Sequence, residues 1–245
     1  MKPSNLSILQ SSNPLTIKSL KIYFLGTNGW YDTELGSTIC TYIKHPDYNI
    51  ILDAGFGIHK LDRYCDFSKP SHLFLSHLHI DHICGLHLLA KFKFKKGLKI
   101  FLKKGLKNKL GRFLSADYTV PLNKLPYKAE IIELKKDIKL PFKVVFLSLV
   151  HSVPVLGYRF EIDGEIISYI MDTGYCENAV KLSKNADLLI AESSYLPGEE
   201  NKDWPHLNPD LAVRLAKASG AKKLALTHFG ADKYITKSKL FNTFT

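Results

Sequence analysis

The sequence predicts an α/β fold in which two sheets pack together and helices lie outside them. Short apolar segments with strand character dominate each half of the chain, and segments with helical spacing follow them. No internal repeat and no linker rich in Gly, Ser or Pro is visible in the 245 residues, which indicates one domain. We therefore expect a polar, poorly ordered lead-in over residues 1–17 and a single domain over residues 18–245.

In the first half, strands are predicted where apolar and β-branched residues are bounded by turn residues. They cover Lys21–Leu25, Thr38–Ile43, Asn49–Leu52, His72–Leu75 and Lys99–Leu102. Apolar residues at helical spacing predict a helix over His82–Phe92, and a basic helix is predicted over Gly105–Leu114.

The second half repeats this pattern. Its predicted strands cover Ile131–Leu134, Lys143–Val150, Tyr158–Ile162, Glu165–Met171, Leu188–Ala191 and Lys223–Thr227. Asp163-Gly164 predicts a type I′ hairpin turn, which needs positive φ at both residues. Asn208 as N-cap and Pro209 at the first position predict the start of a helix that Gly220 ends.

The positive charge of the chain is concentrated in one segment. The formal net charge is +11, and the segment Lys91–Arg112 contains nine Lys, one Arg and no acidic residue. Such a segment suggests a polyanionic partner, for example short RNA or DNA. The alternative is an ordinary solvated surface, because Lys is common there.

The composition also bears on location. Apolar stretches such as Val144–Val150 are far shorter than the roughly 18 residues that span a membrane, and residues 1–14 contain no apolar core of a secretory signal. Four cysteines lie far apart, without a Cys-x-x-Cys pair: Cys40, Cys65, Cys84 and Cys176. We expect reduced thiols, a cytoplasmic protein and no membrane partner.

One short motif carries four metal-binding side chains. His77, His79, Asp81 and His82 lie in the sequence SHLHIDH, between a predicted strand and a predicted helix. In an extended segment, residues two apart face the same side, so His77 and His79 can hold one ion, while Asp81 and His82 can face a second. Imidazole and carboxylate are common ligands of Zn²⁺ and similar metals. The alternative is a chance cluster of histidines on a surface loop.

This motif and four others resemble those of the metallo-β-lactamase-fold hydrolases, in order, over residues 20–230. The other four are centred on Asp53 in ILDAG, His151, Asp172 in MDTG and His228 in LTHFG. The resemblance implies a four-layer αββα fold, with two packed mixed sheets flanked by helices.

The same resemblance implies two divalent metal ions. It assigns His77, His79 and His151 to one ion and Asp81, His82 and His228 to the other, with Asp172 and a hydroxide bridging them. Zn²⁺ is the expected metal, and Mn²⁺ or Fe suits the same donors. We expect Asp53 to orient the SHLHIDH loop by hydrogen bonds. The alternative for Asp53 is a simple turn residue.

Finer details resemble the ribonuclease Z-like branch of that family. They are the FLGT sequence at residues 24–27, the AESS sequence around Glu192, and the segment from His206 to His228. In that branch a histidine at the position of His206 assists proton transfer and is held by a nearby acid, and Glu192 matches the acidic motif. The tRNA-binding arm of ribonuclease Z is inserted between the third and fourth motifs. Here only 20 residues separate His151 from Asp172, which leaves no room for an arm.

We therefore expect a binuclear metal-dependent phosphodiesterase, with nuclease activity as one form of it. A metal-bridging hydroxide would attack phosphorus, Asp81 would position it or accept its proton, and His206 would protonate the leaving oxygen. The alternatives are hydrolysis of a carboxylic ester, thioester or lactone, tRNA 3′-end processing, and nucleic-acid binding without catalysis. The oligomeric state is open, and a homodimer is among the states expected.

Overall fold

The computed structural model describes residues 14–236, which form two compact units. The N-terminal unit comprises residues 14–27 and 36–136, and the C-terminal unit comprises Asn28–Leu35 and residues 137–236. The single domain over residues 18–245 stays a prediction. Residues 1–13 of the expected lead-in lie outside the described residues. The lead-in is wrong at Leu15–Ile17, which form a strand because Leu15 and Ile17 alternate with Thr16 and pair with the next strand.

Thirteen strands and four α-helices are found among the described residues. The strands are β1 Leu15–Ile17, β2 Leu20–Gly26, β3 Asn28–Gly29, β4 Cys40–Lys44, β5 Asn49–Leu52, β6 Ser71–Phe74, β7 Leu98–Leu102, β8 Ala129–Glu133, β9 Lys143–Ser148, β10 Leu156–Ile162, β11 Glu165–Ile170, β12 Leu188–Ser193 and β13 Leu224–Gly230. The helices are α1 Ile80–Ile83, α2 Lys107–Phe113, α3 Glu177–Ser183 and α4 Pro209–Ser219. Two mixed sheets with helices confirm the predicted α/β class.

The sheet of the N-terminal unit has the strand order β1-β2-β4-β5-β6-β7-β8. Strands β5 to β8 are parallel, with Leu52 opposite Phe74 and Phe74 opposite Phe101. Parallel neighbours end at the same edge of a sheet, so the loops after β5, β6 and β7 lie side by side. These loops carry Asp53, the SHLHIDH motif and Lys103, respectively.

The predicted helix over His82–Phe92 is wrong in type. The chain forms the short helix α1 and then a 3₁₀ helix over Cys84–Lys91. The cause is tertiary, because the Gly85 N–H donates to Ala54 O at 2.8 Å instead of continuing the α-helical ladder. The 3₁₀ helix still buries Leu86 and Leu89 against this sheet's core, so the apolar spacing retains its packing role.

The basic helix begins later than predicted, at Lys107 instead of Gly105. Gly105 has a φ of +89°, which is outside the helical region. Its N–H donates to the Glu133 carboxylate at 2.7 Å, and the Lys107 N–H donates to the same oxygen at 3.3 Å. The carboxylate thus anchors the loop that precedes α2 to the end of β8.

The sheet of the C-terminal unit has the strand order β3-β13-β12-β11-β10-β9. Asp163 and Gly164 connect β10 to β11 with φ values of +50° and +79°, as the type I′ turn requires. Helix α4 is confirmed at both ends: the Asn208 side chain accepts from the Leu211 N–H at 2.8 Å, and Gly220 has a φ of +70°. Both signals were local, so the sequence was sufficient to predict them.

The core of the C-terminal unit lies between its sheet and the helices α3 and α4. Leu182 of α3 and Leu215 of α4 are buried with Leu189 and Ala191 of β12. Full burial of a leucine side chain contributes about 1.5–3 kcal/mol, so this cluster holds the central strands in place. No helix within residues 14–236 combines the length and the apolar character that crossing a bilayer requires.

Candidate metal centre

Asp53 is the anchor of the SHLHIDH loop in the N-terminal unit. It follows β5, is fully buried and has a φ of +56°. Its carboxylate accepts from the Ser76 N–H at 2.7 Å and from Ser76 Oγ at 2.8 and 3.0 Å, and it lies 2.9 Å from His82 Nδ1. The carboxylate therefore orients both the start of the loop and one imidazole, which is more than a turn residue does.

The three histidines of the loop lie together. The ring centroids of His77 and His79 are 4.5 Å apart, and those of His77 and His82 are 4.1 Å apart. Ser76 Oγ lies 3.0 Å from His77 Nδ1. His82 Nε2 is 3.6 Å from a carboxylate oxygen of Asp81. With its Nδ1 held by Asp53, the Nε2 atom of His82 is the one that can bind a metal.

Close backbone packing supports this loop from below. A Cβ atom on Gly55 would lie 2.2 Å from Asp81 O, and a Cβ atom on Gly85 would lie 2.3 Å from Gly55 O. Ala54 N donates to His82 O at 2.8 Å. The glycine in the ILDAG sequence is thus required because α1 lies directly on the chain after β5.

In the C-terminal unit, Asp172 and His228 face each other. Asp172 follows β11 and His228 lies within β13, with φ values of +45° and +55°. His228 Nε2 is 3.3 Å from an Asp172 carboxylate oxygen. The predicted strand Lys223–Thr227 ends too early, because β13 continues to Gly230 and includes His228. The pairing shifts from Glu192 opposite Thr227 to Ser193 opposite Phe229, so His228 is the extra residue of a β-bulge.

Glu192 is the second buried anchor. Its carboxylate lies 2.9 and 3.0 Å from His206 Nδ1 and accepts from Ser194 Oγ at 2.7 Å. Ser194 Oγ in turn lies 2.9 Å from His228 Nδ1. One carboxylate therefore fixes His206 directly and His228 through a serine.

His151 follows β9, but the strand ends at Ser148 and not at Val150 as predicted. The Val150 N–H donates to Thr173 Oγ1 at 3.1 Å instead of continuing the ladder. The ring centroid of His151 is 5.0 Å from that of His206, and His151 Nδ1 lies 3.4 Å from Pro205 O.

The predicted ligands in each unit are imidazole and carboxylate groups, which are the donors that divalent metals such as Zn²⁺ bind. Within the C-terminal unit, one donor atom each of Asp172, His206 and His228 lie within 4.8 Å of one another. His82 and His228 each have Nδ1 held by a buried acceptor or hydroxyl and Nε2 near a carboxylate, an arrangement suited to a cation. That the N-terminal group (His77, His79, Asp81, His82) and the C-terminal group (His151, Asp172, His228) share one pair of ions stays a prediction.

Ser76 and Ser194 were not singled out from the sequence. Each joins a buried carboxylate to a histidine. Their positions in the sequence indicate this role, because Ser76 directly precedes the histidine motif and Ser194 lies two residues after Glu192. In the AESS sequence it is the hydroxyl of the second serine, Ser194, that donates to Glu192.

Comparison with known proteins relates this chain to one superfamily of hydrolases. The β-lactamase superfamily domain matches residues 48–229. The probable metallo-hydrolase YhfI of Bacillus subtilis is 29% identical over 237 residues, which cover 89% of this chain and 91% of that protein. Ribonuclease Z of Macrococcus caseolyticus is 26% identical over 282 residues, which cover 89% and 90%. The crystal structure of Bacillus subtilis YhfI has a TM-score of 0.74 at 26% identity and matches over 86% of each chain.

An α/β fold of two mixed sheets whose strand ends carry histidine and aspartate defines a metallo-hydrolase. The chain belongs to the metallo-β-lactamase superfamily, and ribonuclease Z and YhfI are among its relatives. The resemblance drawn from the five motifs is thereby confirmed.

Proposed function

We propose that this protein is a binuclear metal-dependent phosphodiesterase, with short RNA or DNA among the phosphodiesters on which it can act. The observation that carries the proposal is the buried pair of His206 and Glu192, in which the imidazole Nδ1 lies 2.9 Å from the carboxylate. The same Nδ1 atom lies 3.9 Å from a carboxylate oxygen of Asp172. The pair supplies a proton donor beside a predicted metal ligand, and the leaving oxygen of a phosphodiester needs such a donor near neutral pH.

The predicted ligands would hold two ions. His77, His79 and His151 would bind one, Asp81, His82 and His228 would bind the other, and Asp172 would contact both. Zn²⁺ is the metal that we propose, because imidazole and carboxylate suit it, and Mn²⁺ or Fe is compatible with the same donors. When bound, such ions activate water and balance the charge of the phosphate.

The residues of this chain would supply the proton transfers. Asp81 would orient the attacking water and accept its proton. Glu192 accepts a hydrogen bond from His206 Nδ1–H, which leaves Nε2 to donate the proton to the leaving oxygen. Asp53 would keep His82 in the tautomer that binds metal through Nε2.

Two alternatives use the same superfamily fold. Hydrolysis of a carboxylic ester, thioester or lactone would not need the lysines that follow β7 at the edge of the sheet where the SHLHIDH loop lies. A tRNA 3′-end processing role is disfavoured, because the described chain between His151 and Asp172 contains only the β10–β11 hairpin and no inserted arm. The observations thus favour a phosphodiester without a requirement for a whole tRNA.

A substrate screen on the purified protein tests the proposal. Metal content is measured first by mass spectrometry, and about two ions per chain are expected. Hydrolysis of bis(p-nitrophenyl) phosphate is then compared with hydrolysis of a thioester and a lactone. Activity on the phosphodiester that chelation removes supports the proposal, and turnover of the thioester or lactone alone contradicts it.

The cytoplasmic location and the homodimer stay predictions, to be checked by cell fractionation and sedimentation.

A further inference from the structure

Both tryptophans of the chain are exposed. Trp30 and Trp204 belong to the C-terminal unit, and 68% and 50% of their respective surfaces are accessible. Tryptophan normally buries a large area, so two exposed indoles in one unit are candidate contacts for a flat aromatic ligand.

Trp30 directly follows Gly29, the residue that packs on His228, and its ring contacts that of Tyr31 at 5.2 Å between centroids. Gly29 is opposite Gly230 in the β3–β13 pair, and a Cβ atom on Gly29 would lie 2.5 Å from the His228 ring. Trp30 has a φ of +72°, a conformation that a residue with a large side chain rarely adopts. The turn is held in place, because Tyr31 N donates to Gly29 O at 3.0 Å and Asn28 Nδ2 donates to Thr33 Oγ1 at 2.9 Å.

Trp204 lies next to His151, on a loop that hydrogen bonds hold in place. Its ring centroid is 5.9 Å from that of His151, with the two rings inclined at 71°. The carbonyl of Trp204 accepts from the Tyr195 hydroxyl at 2.6 Å, and its N–H donates to Asn201 Oδ1 at 3.2 Å. Trp204 is two residues before His206, so this loop presents an aromatic ring and the proposed proton donor together.

We propose that Trp30 and Trp204 are specificity-determining residues that stack on the nucleobases of the substrate. This inference rests on the proposed function, because it names the group that flanks the phosphodiester. Trp204 contacts the predicted ligand His151, and Trp30 follows the glycine that packs on the predicted ligand His228, so a base attached to a bound phosphate would be within reach of an exposed indole. Stacking on aromatic rings tolerates any base, since every base has a π face. The expected substrates therefore bear bases but have no strict sequence.

The test compares two ligands that differ only in the base. Adenosine 5′-monophosphate and ribose 5-phosphate carry the same phosphate, and neither is a phosphodiester that the protein would hydrolyse. Binding is followed by calorimetry and by the fluorescence of the two tryptophans. We expect the nucleotide to quench this fluorescence and to bind roughly tenfold or more tightly than the sugar phosphate.

Single substitutions show which residues cause the tighter binding of the nucleotide. Trp30→Ala and Trp204→Ala should each weaken nucleotide binding roughly fivefold or more and leave ribose 5-phosphate binding unchanged. Trp30→Phe and Trp204→Phe should retain most of the nucleotide binding, because phenylalanine also stacks on a base. Tyr118→Ala is the matched control, because Tyr118 is 70% exposed but lies in the N-terminal unit. Equal binding of the two ligands, unaffected Ala variants, or Phe variants as weak as the Ala variants would each overturn the proposal.

The outcomes separate this inference from the proposed function. Tryptophan-dependent nucleotide binding without hydrolysis of any phosphodiester would sustain the stacking surface and refute the phosphodiesterase. Hydrolysis of base-bearing phosphodiesters with kcat/KM unchanged in both Ala variants would support the phosphodiesterase and refute the stacking surface.

Discussion

His206 is held by Glu192, whose two carboxylate oxygens lie 2.9 and 3.0 Å from Nδ1 of the imidazole. The same carboxylate reaches His228 through the hydroxyl of Ser194. Asp53 has a corresponding relationship with His82 and Ser76 in the other unit. Each unit thus orients metal-site histidines with one buried carboxylate and one serine, although Asp53 follows β5 and Glu192 lies within β12.

Replacing His206 separates proton transfer from metal binding. His206→Ala should lower kcat by roughly 10²–10⁴, the range for general acid–base groups, and leave the metal content intact. Glu192→Gln should reduce kcat less and shift the pH–rate profile, because the imidazole remains while its charged partner is lost. His87→Ala, which removes an exposed histidine of the N-terminal unit, should be neutral. Loss of metal in His206→Ala would identify His206 as a ligand and contradict its assigned role.

Asp81 is expected to matter for both metal binding and turnover. Asp81→Ala should abolish nearly all turnover and release roughly one metal ion per chain, as measured by mass spectrometry after dialysis, because it removes a ligand and the partner of the attacking water. Asp62→Ala is a control in the same unit that removes only a half-exposed ion pair with Lys91. Full metal content and activity in Asp81→Ala would show that Asp81 is neither a metal ligand nor a catalytic residue.

The lysines that follow β7 should contribute to nucleic-acid binding. They lie at the sheet edge that carries the SHLHIDH loop, whereas Lys95 and Lys96 precede β7 and lie near the opposite edge. The charge reversal Lys103→Glu/Lys104→Glu should weaken binding of a short RNA roughly tenfold at low salt. It should also reduce the slope of log K against log salt concentration by roughly one to two, because two lysines are changed. The control, Lys95→Glu/Lys96→Glu, alters the net charge equally about 15–20 Å away along the strand.

Titrations at two salt concentrations check this prediction. Equal weakening by both charge reversals would indicate general attraction to a basic segment rather than a local contact. Binding that depends on neither salt nor these charges would leave the segment Lys91–Arg112 as solvated surface.

His72 should make the protein sensitive to acid. Burial, with a smaller contribution from the charge of Lys99, lowers its pKa to about 4, below the value of about 6.5 in an unfolded chain. The folded state therefore resists protonation, so stability is complete above pH 6.5 and falls as the pH decreases from there towards 4. Between pH 7 and pH 5 the loss is about 2 kcal/mol.

Urea unfolding at these two pH values measures the effect. His72→Gln should lose this part of the pH dependence, whereas His87→Gln, at an exposed position, should retain it. An unchanged difference between pH 7 and pH 5 in His72→Gln would show that other groups cause the acid sensitivity.

The sequence by itself determined the features that depend on neighbouring residues and on residue type. The caps of α4 at Asn208 and Gly220 and the type I′ turn at Asp163-Gly164 are local backbone preferences, so they could be predicted. The candidate ligands could be named because a metal requires imidazole and carboxylate groups, and few segments supply four of them in six positions. The α/β class followed from the order of apolar segments.

Only the tertiary structure decided the features that depend on contacts between distant segments. The helix after the SHLHIDH loop becomes a 3₁₀ helix because Gly85 bonds to Ala54, and His228 is redirected by a bulge against β12. The positions of Ser76 and Ser194 follow from hydrogen bonds to Asp53 and Glu192. The exposure of Trp30 and Trp204 belongs to the same class, because the accessibility of an indole depends on how distant segments pack around it.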